Sequence, residues 1–222
     1  MKLLLAATLV ASANAGNFYC AKIDPDSASG AKGYFSMSYG AGINAKFELD
    51  LDLSSFEGEA STCTIENGLT YHIHTTWADS SVSSSANAQC GPDYTSGHYD
   101  PSLACSSASE DINDRCASLG RTGDNYPCDA DDFESGNFAV CEQGDLSGKF
   151  GSLTGGDRFF TASENDPWAP IPANYKATDD RANMWSSVVF HCKDDGSRLA
   201  CADLVEQDKP CDSGNKKLRG GN

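Results

Sequence analysis

Lys46-Phe47-Glu48-Leu49-Asp50-Leu51-Asp52-Leu53 alternates apolar and charged side chains without a break. A period of two puts Phe47, Leu49, Leu51 and Leu53 on one face of a strand and the charges on the other. Outward from this stretch, similar short runs fall at residues 17–23, 34–39, 69–77, 138–141, 159–160, 187–191 and 199–205. Gly, Asp, Asn and Ser separate them, and no long segment competes with a helical period. The reading is all-β: about eight strands in a Greek-key flattened barrel or sandwich. Residues 78–136 and 163–183 are long connections rather than strands, the first of them an insertion rich in Ser, Asp, Asn, Gly and Cys. A connection of that length is usually functional or disordered, and its cysteines argue for order. A short helix is expected at 111–119.

The chain has 222 residues, enough for one domain with a real core. Lys2, the apolar run from Leu3 to Val10 and Ala13-Asn14-Ala15 make residues 1–15 a secretory leader, with a domain at 16–222. The leader's apolar run is too short to span a bilayer and no other approaches the required length. The tail, 209–222, is polar, unlike a lipid-anchor signal. Ten cysteines, even in number and without a C-x-x-C pair, read as disulfides of an oxidising compartment, so a secreted, extracellular protein is expected. Their spacing leaves the pairing open. A net charge of −16 excludes nucleic acid as a partner, since phosphate binding needs a basic face. The sequence leaves the oligomeric state open, with a monomer favoured.

There are four histidines. His72 and His74 lie two apart in an apolar, β-branched run and share a strand face. His98 sits in the turn-like Ser96-Gly97-His98-Tyr99-Asp100-Pro101, and His191 ends Val188-Val189-Phe190-His191. Imidazole suits zinc, copper, iron and nickel, and a redox-capable copper site is the leading reading.

The order of five segments carries a resemblance. Tyr71-His72-Ile73-His74 resembles the paired-histidine strand of the Cu/Zn superoxide dismutases. Gly97-His98-Tyr99-Asp100-Pro101 is similar to the turn bearing that family's third copper ligand. Gly144-Asp145-Leu146-Ser147-Gly148, Ser187-Val188-Val189-Phe190-His191 and Gly196-Ser197-Arg198-Leu199-Ala200-Cys201 resemble three further signatures in the family's order. The resemblance implies copper ligands His72, His74, His98 and His191, a superoxide-guiding Arg198, and a Cys90–Cys201 disulfide. The expected reaction is conversion of superoxide to dioxygen and hydrogen peroxide, with His98 as a candidate proton carrier.

Two departures narrow the expectation. The family's zinc site needs two histidines that this chain lacks; Asp145 matches its aspartate and Glu142 stands where a zinc-binding histidine would be. Zinc is therefore not expected, and Glu142 or Asp145 is left to accept the second ring N–H of His98. Only Cys192-Lys193-Asp194-Asp195-Gly196-Ser197 separates His191 from Arg198, so the family's long electrostatic loop is missing. Both departures resemble the secreted, copper-only branch. The competing readings are a non-enzymatic copper-binding protein on the same scaffold and a host or surface interaction module using residues 78–136.

Overall fold

A computed structural model describes residues 18–26, 28–40, 44–57, 63–77, 90–170 and 187–211. The leader, most of the tail, residues 78–89 of the insertion and 171–183 of the second connection lie outside these. The described strands are β1 (Phe18–Ile23), β2 (Lys32–Tyr39), β3 (Ala45–Asp52), β4 (Leu69–His74), β5 (Phe159–Asp166), β6 (Ser187–Cys192), β7 (Arg198–Asp203) and β8 (Val205–Gln207). They form two antiparallel sheets, one in the order β5-β3-β2-β1-β8 and the other β4-β6-β7.

The alternation in β3 has the expected consequence. Ala45, Phe47, Leu49 and Leu51 are buried, while Lys46 and Glu48 are exposed. Their core partners come from Tyr19, Ala21 and Ile23 on β1, Phe35 and Met37 on β2, and Leu69, Tyr71 and Ile73 on β4. Strand β6 is buried along its whole length. Val188, Phe190 and Cys192 face the core. Ser187, Val189 and His191 point the other way, under the 90–101 segment, where Val189 packs on Cys90 and Cys201.

Four details depart from the sequence reading. Residues 138–141 are not a strand: Phe138–Val140 is a 3-10 helix whose Phe138 ring packs 5.2 Å from that of Phe133. A short apolar run does not by itself distinguish the two states. Strand β5 extends six residues past Phe160 along β3, because backbone pairing rather than an apolar face defines this edge strand. The run at 199–205 is two strands, broken at the buried Leu204, where the chain passes from one sheet to the other. In 111–119 only Arg115–Ser118 is helical.

All ten cysteines are paired, as Cys20–Cys211, Cys63–Cys192, Cys90–Cys201, Cys105–Cys116 and Cys128–Cys141. Three bonds tie chain segments more than 100 residues apart, and two brace the insertion. Among the described residues no helix is long and apolar enough to cross a membrane.

Candidate metal centre

Cross-strand partners share a face. In the β4/β6 ladder Thr70 opposes His191, His72 opposes Val189 and His74 opposes Ser187, so His72, His74 and His191 all project from the face turned away from the core. Segment 97–99 then pairs along the free edge of β4. Tyr99 N–H donates to the Ile73 carbonyl at 2.9 Å and Thr75 N–H to the Gly97 carbonyl at 3.1 Å, which brings His98 beside His74. Gly97 is required by this packing: a Cβ there would lie 2.7 Å from the backbone nitrogen of Glu110 and 2.8 Å from the Ala108 carbonyl.

The four imidazoles thus converge, each offering one nitrogen within 4.8 Å of the others. The His72 and His98 rings stack with centroids 4.1 Å apart. The Nε2 atoms of His74 and His191 are 3.3 Å apart. Both rings have an Nδ1 against a carbonyl, Ser96 at 2.9 Å for His74 and Gly196 at 3.0 Å for His191. A carbonyl only accepts, so both Nδ1 atoms carry the proton and both Nε2 atoms are bare. His98 Nδ1 donates to Glu142 Oε2 at 2.8 Å, again freeing Nε2. Among the described residues His72 Nδ1 is buried without a hydrogen-bond partner, while its Nε2 lies 3.5 Å from Asp145 Oδ1.

Burial, followed by neighbouring rings, pushes the His72 and His74 imidazoles well below their ordinary range, and burial holds His191 down to about 4. Neutral rings with four inward lone pairs repel one another unless a cation lies among them. This donor set fits a late first-row metal ion.

The acid side of the cluster is equally ordered. Glu142 is fully buried; besides His98 it accepts from Ser106 N–H at 2.7 Å. Asp145 caps the short helix Leu146–Phe150 through Gly148 N–H at 2.7 Å and accepts from the Tyr126 hydroxyl at 2.8 Å. Tyr126 in turn accepts from Glu142 N–H at 3.0 Å. Burial and the Asp145 and Glu142 carboxylates push its phenol well above the ordinary range, so it keeps its proton. Between Glu142 and Asp145 the chain is held by the buried Lys149, which donates to the Gln143 carbonyl at 2.8 Å and pairs with the buried Asp166.

Arg198 reaches the site through an irregularity that the sequence does not announce. Phe190 pairs with Ala200, but His191 pairs with Arg198, so Leu199 is a bulged residue. Leu199 turns into the core and Arg198 comes level with His191. A bulge of this kind re-aims a side chain. The Arg198 Nη1 donates to the Cys90 carbonyl at 2.8 Å and to the Thr95 hydroxyl, and Nη2 to the Ser96 carbonyl at 3.0 Å.

Tyr126 and Lys149 were not legible as site residues. One sits in a polar loop and the other in a five-residue helix, and only tertiary contacts bring them here. Their sole sequence signal is proximity to Glu142 and Asp145 in the case of Lys149, and none for Tyr126.

No family model matches the chain, and no curated protein does either. Among solved structures, superoxide dismutase 5 of Candida albicans with Cu(II) is similar at a TM-score of 0.52 and 19% identity, over 90% of this chain and 98% of that one. Two variants of that enzyme give TM-scores of 0.51 and 0.52 at 18% and 17% identity, covering 90% of this chain and 96% and 97% of theirs. These likenesses establish the architecture: the chain adopts a superoxide-dismutase-like β fold with a four-histidine cluster on one sheet.

Proposed function

We propose that this chain is a secreted, copper-dependent superoxide dismutase of the copper-only type. The observation that carries the reading is Arg198 standing level with His191 at the edge of four inward-facing imidazoles. His74 Nε2, His98 Nε2, His191 Nε2 and His72 Nδ1 are the nitrogens that would hold the metal. Bound copper would supply the one-electron couple that oxidises one superoxide to dioxygen and reduces the next, with two protons, to hydrogen peroxide.

The protein's part is positioning. The carbonyls of Ser96 and Gly196 fix two rings, and Glu142 fixes the third and retains its Nδ1 proton. Three of the five guanidinium N–H groups of Arg198 are engaged among the described residues, which leaves a fixed cation to attract and orient a small anion. The net charge of −16 would repel that anion at long range, but screening over about 8 Å lets the local guanidinium dominate. Zinc is not part of this proposal. The carboxylates that would serve it are occupied, Asp145 by Gly148 and Tyr126, Glu142 by His98 and Ser106. Secretion rests on the leader and the five disulfides.

The test is metal analysis of the protein after loading, then superoxide consumption, with His72→Ala alongside. Copper uptake with activity that His72→Ala abolishes is expected; a copper-loaded protein that consumes no superoxide ends the enzymatic reading. A second reading, copper binding without catalysis, draws on the same Arg198 bonds, since they also brace the 90–96 segment. It requires that Arg198 substitutions leave function intact.

A further inference from the structure

The insertion makes a specific contribution to the histidine cluster. Its described part is anchored by Cys105–Cys116 and Cys128–Cys141, and the second of these closes immediately before Glu142. Gly123 lies against Ser107, where a Cβ would approach the Ser107 backbone to 2.6 Å, and Tyr126 N–H donates to the Gly123 carbonyl at 3.2 Å. These contacts aim the Tyr126 ring inward, although its neighbours Asn125 and Pro127 are exposed. Its hydroxyl is then used in both senses: it donates to Asp145 Oδ2 and accepts from the backbone N–H of Glu142. No other side chain among the described residues bonds both acids that flank the cluster, Glu142 against His98 and Asp145 against His72.

Resting on the dismutase reading above, we propose that Tyr126 is a positioning residue that locks Glu142 and Asp145 in one arrangement and so fixes the His98 and His72 rings. The reason is geometric. Glu142 and Asp145 sit three residues apart on a turn whose Asp145 N–H bonds back to the Glu142 carbonyl at 3.1 Å. One hydroxyl bridging the backbone of the first and the side chain of the second removes their freedom to move independently. A phenylalanine would fill the same space and leave two buried polar groups without that partner.

The test uses the full mature chain. In the metal-free protein, the His98 Nδ1 proton is followed by 15N NMR, and its exchange with solvent is timed in wild type, Tyr126→Phe and Tyr126→Leu. This proton sits on the Glu142 contact itself, and comparing Tyr126→Phe with Tyr126→Leu separates loss of the hydroxyl from loss of the ring's packing. Exchange about tenfold faster in both variants, with the fold retained, is expected for a lost hydrogen bond. The copper-loaded variants should also show a cupric electron spin resonance spectrum altered from wild type. An exchange rate in Tyr126→Phe equal to wild type overturns the assignment, and so does acceleration confined to Tyr126→Leu, which would make the ring rather than the hydroxyl responsible. Failure of the dismutase reading looks different: the wild-type protein itself consumes no superoxide, whatever Tyr126 does to exchange.

Discussion

His74 and Arg198 donate to the same acceptor, the Ser96 carbonyl, at 2.9 and 3.0 Å. A proposed metal ligand and the proposed anion-binding group are therefore set by one peptide unit. Ser96 is held in turn by Glu110, which accepts from its hydroxyl and from Gly97 N–H at 2.7 Å. A displacement of this turn moves both functional groups together.

Arg198→Lys should separate charge from shape. Lysine keeps the positive charge but not the planar fork that spans Cys90, Thr95 and Ser96. Superoxide consumption is expected to fall about tenfold in Arg198→Lys and further, up to about 100-fold, in Arg198→Ala. Copper content should be unchanged in the lysine variant. Pulse radiolysis on the copper-loaded proteins measures this, and equal rates in all three would remove Arg198 from the reaction.

Glu142→Gln removes the charge that meets the His98 Nδ1 proton in a fully buried position. A lost outer partner of a metal-bound histidine typically costs about 10–100-fold in metal affinity. Competition with a copper chelator of known strength should show a drop in that range. Unchanged affinity would mean that Glu142 serves only the Ser106 backbone.

The metal-free protein should weaken in mild acid. The His72, His74 and His191 rings bind protons less readily folded than unfolded, so between about pH 6.5 and about 4 the unfolded chain carries the extra protons. Stability that is full above pH 6.5 is lost as the pH falls, and His191 alone accounts for roughly 3 kcal/mol of it. Urea unfolding at stepped pH reads this, with His191→Gln flattening the slope. Saturating copper at about 1,000 times its dissociation constant adds about 4 kcal/mol at neutral pH.

Lys149→Met should be among the most damaging changes behind the acid side of the cluster. It strands the buried Asp166 carboxylate and frees the Gln143 carbonyl. Breaking one half of a buried pair costs about 3–5 kcal/mol, whereas Lys149→Met with Asp166→Leu should recover most of the loss. Chemical denaturation of the two variants decides it; equal stability of single and double variants would contradict the pairing argument.

Much of the architecture was legible where side-chain period controls it. The alternation at 46–53 fixed which face of β3 is buried, and His72 and His74 lie on one face of β4 for the same reason. Legibility ended where backbone geometry takes over. Beyond Phe160, β5 is polar and mostly exposed, and it continues because β3 offers a free edge. The 138–141 run is apolar enough for a strand, but Cys128–Cys141 and the Phe133 ring claim it for a helical turn. The bulge at Leu199 is a matter of register, and nothing local in Ser197-Arg198-Leu199-Ala200 marks it. Tyr126 needed the folded insertion before its two acceptor and donor contacts could be seen.

His74 and His191 are separated by 117 residues, and the crosslinks nearest them, Cys63–Cys192 and Cys90–Cys201, span 129 and 111. A nascent chain that has not yet reached His191 can therefore offer at most three of the four imidazoles, His72, His74 and His98. The full nest of nitrogens exists only once these distant strands have paired. On the copper reading proposed above, metal capture would follow finished maturation, and an immature molecule would have little grip on an ion that, loosely held, generates radicals.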